Sequence, residues 1–113
     1  MDRHLYVKAV LDHYRRTPGT LGHARPEDRR LAAALYDRGV SLDQIDAALL
    51  LATTRRTFRP KDAPPLNPVR SLHFFLPVLY EILLDPPDPD YLRYLRWKLD
   101  QQARTDTPSP SSR

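Results

Sequence analysis

The stretch "PEDRRLAAALYDRGVSLDQIDAALLLATTRR", residues 26–56, places two helical patterns on either side of one glycine, Gly39. Pro26 suits a first helical turn, because the amide that proline lacks has no partner there, and the two acids after it face the positive end of the helix dipole. Ser41, with Gln44 three residues later, has the spacing of a capping box and opens the second helix. The stretch therefore predicts a helical hairpin. We expect its buried positions to be Leu31, Ala34, Leu35, Leu42, Ile45, Leu49 and Ala52.

Three further helical patterns flank this hairpin. An apolar stripe at helical spacing covers about residues 2–16. A fourth helix is predicted to begin with Asn67 as its cap and Pro68 in its first turn, and Pro77 within it predicts a kink or a division into two shorter helices. The chain lacks the alternating pattern of strands. The predicted fold class is therefore all-α, a compact bundle of about five helices.

The fifth helix follows the break "DPPDPD", where Asp88 is the predicted cap and Pro89 lies in the first turn. Its predicted buried stripe is Leu92, Leu95 and Leu99. A chain of 113 residues with 41% apolar content fits one domain, which we assign to residues 1–104. The final stretch "TDTPSPSSR", residues 105–113, has nothing to bury and is predicted to be disordered.

The sequence carries no recognisable set of catalytic or metal-binding groups. There is no cysteine, and no phosphate-binding glycine loop or nucleophile motif. The four histidines lack the spacing that puts two ligands on one helical face. They are His4, His13, His23 and His73. We therefore expect a protein that is not an enzyme and has no cofactor and no metal. The apolar runs are short or interrupted, so they predict no membrane contact and a cytoplasmic location.

The glycine turn between the second and third helices also has the spacing of a DNA-binding helix-turn-helix. Two features argue against that interpretation. Leu35 stands where close helix approach usually needs alanine, and the third helix begins with Asp43 and Asp46, which would repel phosphates. A plain helical hairpin is the favoured interpretation.

The connection after the third helix, residues 53–75, holds the densest positive charge. Between residues 55 and 70, five basic residues face one acid, Asp62, a surplus that equals the net charge of +4 of the whole chain. Arginines on a loop between rigid helices suit contact with a nucleic-acid backbone. The alternative is a solvated helix end followed by a stiff proline connector. The candidate phosphate contacts are Arg55, Arg56, Arg59, Lys61 and Arg70.

A second candidate surface lies on the fifth helix, where three aromatic residues recur every third position among basic ones. Aromatic and basic side chains together are typical of nucleic-acid binding. The favoured alternative buries Trp97 and one tyrosine against the fourth helix and leaves the arginines exposed. The aromatic residues are Tyr91, Tyr94 and Trp97, and the basic residues are Arg93, Arg96 and Lys98.

The stretch "SLHFFLPVLYEI" resembles a short pattern in the C-terminal helical domains of DnaD-type primosome and phage replisome-organiser proteins. That pattern is an aromatic, an apolar residue, two further residues, two apolars, two further residues and tryptophan, and Ile82 stands at the tryptophan position. Upstream, "GVSLDQIDAALLLATTRR" is similar to the preceding helix of that family. The resemblance covers roughly residues 28–82 and implies a replication-accessory role with DNA contact near the end of the domain. The four matching positions are Phe74, Phe75, Val78 and Leu79.

Two hypotheses for the function follow from these patterns. The first is a small basic nucleic-acid-binding accessory protein, tied to replication or a mobile genetic element, that contacts DNA or RNA through the basic residues of the connection together with Arg93 and Arg96. The alternative is a helical adaptor or a subunit of a larger complex, which binds a larger protein partner or a second copy of itself through exposed aromatic residues. The candidate partner-binding residues are Phe74, Phe75, Tyr80 and Trp97.

Overall fold

The computed structural model describes residues 1–106, and the side chains of residues 1–104. Over this range the backbone is helical and holds no strand, which confirms the all-α prediction. The five α-helices are α1 (Arg3–Arg16), α2 (Pro26–Asp37), α3 (Leu42–Thr57), α4 (Leu76–Leu84) and α5 (Pro89–Asp106), and a short 3-10 helix (Leu72–Phe75) precedes α4.

The turn between α2 and α3 forms as the sequence predicts. Gly39 has a φ of +79°, and its amide and that of Val40 bond back to the last turn of α2. Glycine suits this position because a side chain disfavours positive φ. The capping box also forms: the Gln44 amide donates to Ser41 Oγ at 3.1 Å, and the Ser41 amide donates to Gln44 Oε1 at 2.9 Å.

The central helix of the bundle is α3, which packs against α1, α4, α5 and the short 3-10 helix. Consecutive residues from Ala47 to Leu50 are buried, so more than one face of the helix is covered. The neighbours of α2 are mainly α1 and the 3-10 helix, so α2 and α3 are joined by the predicted glycine turn and pack against other elements of the bundle. On α2 the predicted burial of Ala34 is wrong, because Ala32 is buried and Ala34 is exposed.

The predicted start of the fourth helix at Asn67 is wrong. The chain there is extended, because the Val69 amide donates to Gly19 O at 2.7 Å and Val69 O accepts from the Leu21 amide at 3.2 Å. The helix begins later, and Pro77 is the second residue of α4, where its missing amide costs nothing. The predicted division at this proline therefore takes the form of a 3-10 helix followed by α4.

A buried carboxylate joins the start of α2 to the start of the 3-10 helix. Asp28 is fully buried and accepts hydrogen bonds from the Arg25 amide at 2.9 Å, Ser71 Oγ at 3.0 Å and the Leu72 amide at 2.9 Å. Burial raises the pKa of the Tyr14 hydroxyl, and the negative charge of Asp28 raises it further. This contact holds the connection after α3 against the beginning of α2.

The fifth helix packs mainly on α3. Asp88 caps it as predicted, accepting a hydrogen bond from the Asp90 amide at 2.8 Å, and Leu95 is buried while Leu92 and Leu99 are half-buried. The helix continues to Asp106, two residues beyond the predicted domain end at 104. The remainder of the predicted disordered tail, residues 107–113, lies outside the described residues.

Candidate nucleic-acid interface

The helix directions bring three arginine-bearing helix ends together. Helices α1 and α2 are antiparallel, since Arg3 near the start of α1 bonds Asp37 at the end of α2, with Nη2 and Oδ2 2.9 Å apart. Helices α1 and α3 run the same way, since Tyr6 Oη donates to Val40 O at 2.7 Å and Arg56 lies beside Gly19. The end of α1, the start of α2, the end of α3 and the connection after it therefore share one end of the bundle, here named the basic end. Its cations are Arg15, Arg16, Arg25, Arg29, Arg30, Arg55, Arg56, Arg59, Lys61 and Arg70.

Two of the five residues predicted as phosphate contacts are engaged within the protein. Arg55 forms a bidentate ion pair with Glu81 of α4. Its Nη1 is 2.9 Å from Glu81 Oε2 and its Nη2 is 2.5 Å from Glu81 Oε1. This hydrogen bonding lowers the pKa of Glu81 and raises that of Arg55. Arg56 donates to Asn67 O at 2.8 Å and lies 5.1 Å from the centre of the Phe74 ring, so it braces the connection.

The other three predicted contacts remain available. Lys61 and Arg70 are exposed and Arg59 is half-buried, and within residues 1–104 none of them forms an ion pair. Arg70 lies between Val69, which pairs with the loop after α1, and Ser71, which bonds Asp28 at the start of α2. Arg70 is therefore held close to the arginines at the start of α2.

A cleft at the start of α2 holds four further arginines that the sequence reasoning missed. It has a volume of about 370 Å³, and Leu11, Ala24 and Pro26 form its apolar part. The four are Arg15, Arg25, Arg29 and Arg30, and the cleft is named the arginine cleft. The sequence signal was the spacing of Arg25 and Arg29, which are four residues apart, whereas Arg15 joins them through helix packing alone.

The charges of the arginine cleft are partly compensated. Arg15 pairs with Asp12, and Arg25 Nη1 is 4.0 Å from Glu27 Oε1. Arg29 and Arg30 are exposed and have no acidic partner among residues 1–104. The cleft is therefore a concave surface with two unpaired guanidinium groups, one loosely paired with Glu27 and one hydrogen-bonded to Asp12, which suits phosphate.

On α5 the favoured burial of Trp97 is wrong. Trp97 is 56% exposed and Tyr94 50% exposed, and their ring centres are 6.1 Å apart. Arg93 pairs with Asp90 of the preceding turn, whereas Arg96 is exposed. The stripe faces outward because α5 turns its leucines toward α3.

The four candidate partner-binding residues differ in their exposure to solvent. Phe74, Tyr80 and Trp97 are exposed, but the expected exposure of Phe75 is wrong. Its ring is 3% exposed and meets the Tyr14 ring edge to face at 6.1 Å, so it belongs to the core.

No cluster of three or more potential metal-ligating side chains occurs in residues 1–104. Between residues 1 and 106, no helix combines the length and apolar character needed to cross a bilayer.

Comparison of the chain with protein-family models, with curated proteins and with solved structures returns no match. Of the residues that carry the resemblance to DnaD-type domains, Phe75, Leu79 and Ile82 are buried. Core packing alone accounts for apolar residues at these positions.

Proposed function

We propose that this protein binds nucleic acid by placing phosphates against the basic end of the bundle. The observation that carries the proposal is the arginine cleft, where guanidinium groups from α1 and the start of α2 line one concave surface. Arg59, Lys61 and Arg70 extend this surface along the connection after α3. Arginine binds phosphate through paired donors, so the expected mechanism is charge neutralisation and positioning without base recognition.

The positive charges of the arginine cleft repel one another, and a bound polyanion would relieve this repulsion. Arg25 directly precedes α2, and Arg29 is its fourth residue, so like charges gather at this helix end. They also lie at the start of α2, where the helix dipole is positive. Binding of phosphate removes both repulsions. The role proposed for such binding, an accessory to replication or to a mobile genetic element, rests on the resemblance to DnaD-type domains.

The test compares two ends of the same helix. Arg29→Gln/Arg30→Gln removes two charges of the cleft, and Arg38→Gln removes one exposed charge that follows the last residue of α2. We expect wild-type protein to bind labelled duplex with a log–log salt slope of about −4 to −5, corresponding to about five neutralised phosphates. The double variant should reduce this slope by about 2, whereas Arg38→Gln should leave it unchanged.

Fluorescence anisotropy at several salt concentrations measures these slopes, and circular dichroism checks that each variant is folded. Because the double variant removes repulsion at the start of α2, its free energy of unfolding should not decrease. Binding that is absent, or that does not depend on salt, contradicts the proposal. An equal loss for Arg38→Gln contradicts the assignment to this end of the molecule.

A second candidate function rests on the exposed apolar side chains of α4 and α5, which we propose as a contact between two copies of the chain. Leu84 is 88% exposed, and Tyr80, Leu83, Tyr91 and Trp97 of the same two helices are also exposed. Large apolar side chains exposed in this number favour protein contact. Light scattering should then give a mass that rises toward twice the 13.1 kDa of one chain and should stay at one chain in Leu84→Ser/Trp97→Ser. A constant monomer mass in the wild type contradicts this candidate.

A further inference from the structure

A second, larger cleft opens beside the basic end, between the later part of α5 and the ends of α1 and α3. Its volume of about 510 Å³ lies within the range of small-molecule sites. Leu49 and Leu50 of α3 and Leu99 of α5 form its apolar floor, and among the described lining residues there is no Phe, Tyr or Trp, the one aromatic ring being the His13 imidazole. The cleft offers an apolar surface of the size of one nucleotide.

Two arginines stand at the rim of this cleft. Arg16 is the last residue of α1 and Arg96 projects from α5, and both are exposed. Within residues 1–104 neither forms an ion pair with an acidic side chain. Of the two acids that line the cleft, Asp46 contacts His13, and Asp100 follows Arg96 by one helical turn. The lining therefore holds two arginines and two carboxylates, and the arginines, which have no ion pair, stand beside the apolar floor.

This combination matches an unpaired nucleotide, which has an apolar base face and a negative phosphate. We propose that the cleft accepts one unpaired base of single-stranded DNA or RNA, with the base against the leucines and its phosphate between Arg16 and Arg96. A base held in a duplex is stacked and paired on its neighbours and cannot enter. The inference rests on the proposed nucleic-acid binding and adds to it a preference for single strands.

The position of the cleft supports this assignment. Arg16 directly follows Arg15, which lines the arginine cleft, so the backbone of a bound strand can continue from one cleft to the other. Thr57 also lines the cleft and supplies a hydroxyl group of the kind that bonds to base edges. The outward stripe of Tyr94 and Trp97 is a different surface, and a base bound there would stack on aromatic rings.

The first experiment compares a single strand with a duplex of equal length. Arg16→Gln/Arg96→Gln should weaken single-strand binding about tenfold more than duplex binding, since it removes contacts made to an unpaired nucleotide. Arg93→Gln is the matched control on α5, where the arginine pairs with Asp90 instead of facing the cleft. It should not alter the ratio of the two affinities. Equal losses for both polymers in the double variant overturn the inference while leaving the proposed function in place.

A second readout locates the base. The fluorescence of 2-aminopurine in a single strand is quenched by stacking, so it should rise when the base leaves the stack for a cleft floored by leucines and lined by no Phe, Tyr or Trp among the described residues. A fall in fluorescence that Trp97→Ala abolishes would place the base on the aromatic stripe and overturn the inference.

A third experiment tests the cleft without a nucleic-acid polymer. Adenosine monophosphate should shift the amide signals of residues that line the cleft, such as Thr57 and Leu99, while inorganic phosphate at the same concentration should not. Equal shifts with phosphate alone, or none with the nucleotide, overturn the inference. Nucleotide shifts without any polymer binding would contradict the proposed function and not the site.

Discussion

Replacing Glu81 by glutamine should strengthen nucleic-acid binding. Glu81 holds Arg55 in a two-pronged ion pair, with donor–acceptor distances of 2.9 Å and 2.5 Å, at the end of α3. The pair is half exposed, so its loss should have a small effect on stability. Glu81→Gln removes the negative charge and leaves Arg55 with an uncompensated positive charge at the basic end. One additional cation is then available to a phosphate.

The size of the effect follows from counterion release. Each phosphate neutralised on duplex DNA contributes about 0.9 to the log–log salt slope. If the contact gives no advantage at 1 M salt, one additional contact strengthens binding about eightfold at 0.1 M salt and about twofold at 0.5 M. The slope should therefore become steeper by about 0.9.

The control is Asp37→Asn, which frees Arg3 from its own ion pair at the opposite end of α1 and α2. Both variants raise the net charge by one, so a nonspecific effect of charge would strengthen binding equally in the two proteins. Anisotropy with a labelled duplex at 0.1 M and 0.5 M salt separates them. The reasoning is refuted if Glu81→Gln binds no more tightly than wild type, or if Asp37→Asn gains as much.

Three predictions concern the frame that positions the basic end. Asp28→Ala leaves three hydrogen-bond donors without their acceptor and should lower the free energy of unfolding by about 2–4 kcal/mol in urea denaturation. Gly39→Ala meets no atom within 4 Å but forces alanine to a φ of +79°, which should cost about 1–2 kcal/mol in the same assay. Because Arg55 lowers the pKa of Glu81 below its ordinary 4.5, the pair stabilises the fold above that value, and the melting-temperature difference between wild type and Glu81→Gln should vanish as the pH falls through the lowered pKa.

Each of these predictions has an outcome that contradicts it. Glu27→Ala, one residue from Asp28 on the half-buried side of α2, is the control for Asp28→Ala and should have a much smaller effect. Equal losses would mean that the buried hydrogen bonds of Asp28 contribute little. For Gly39→Ala, unchanged stability would contradict the strain argument. For the ion pair, a melting difference that grows at low pH would have the wrong sign.

The features of the fold that the sequence predicted are local ones. The turn at Gly39, the Ser41 and Gln44 capping box and the Asp88 cap all depend on residues within a few positions of one another. The predicted start of the fourth helix was wrong because Pro68 suits an extended segment as well as it suits a first helical turn. The bond of Val69 to Gly19, fifty residues away, decides between them.

The candidate site was predicted less completely than the fold. The sequence shows a surplus of positive charge in residues 55–70, but it does not show which of these side chains remain free to bind a phosphate. Arg55 is neutralised by Glu81, twenty-six positions later, and Arg56 is held by Asn67 and Phe74. The exposure of Trp97 was also misjudged, because helical spacing gives the angle between side chains and does not show which side the neighbouring helix covers.

The sequence determined the helices of this protein, because capping and apolar periodicity act within one or two turns and need no distant partner. The tertiary structure decided which charges remain free and where they meet. Antiparallel packing of α1 on α2 brings Arg15 beside Arg29 and Arg30, and α5 closes a cleft with Arg16. Electrostatic pairing depends on distance through space, so the same arginines are ion-paired or available according to the packing of the helices.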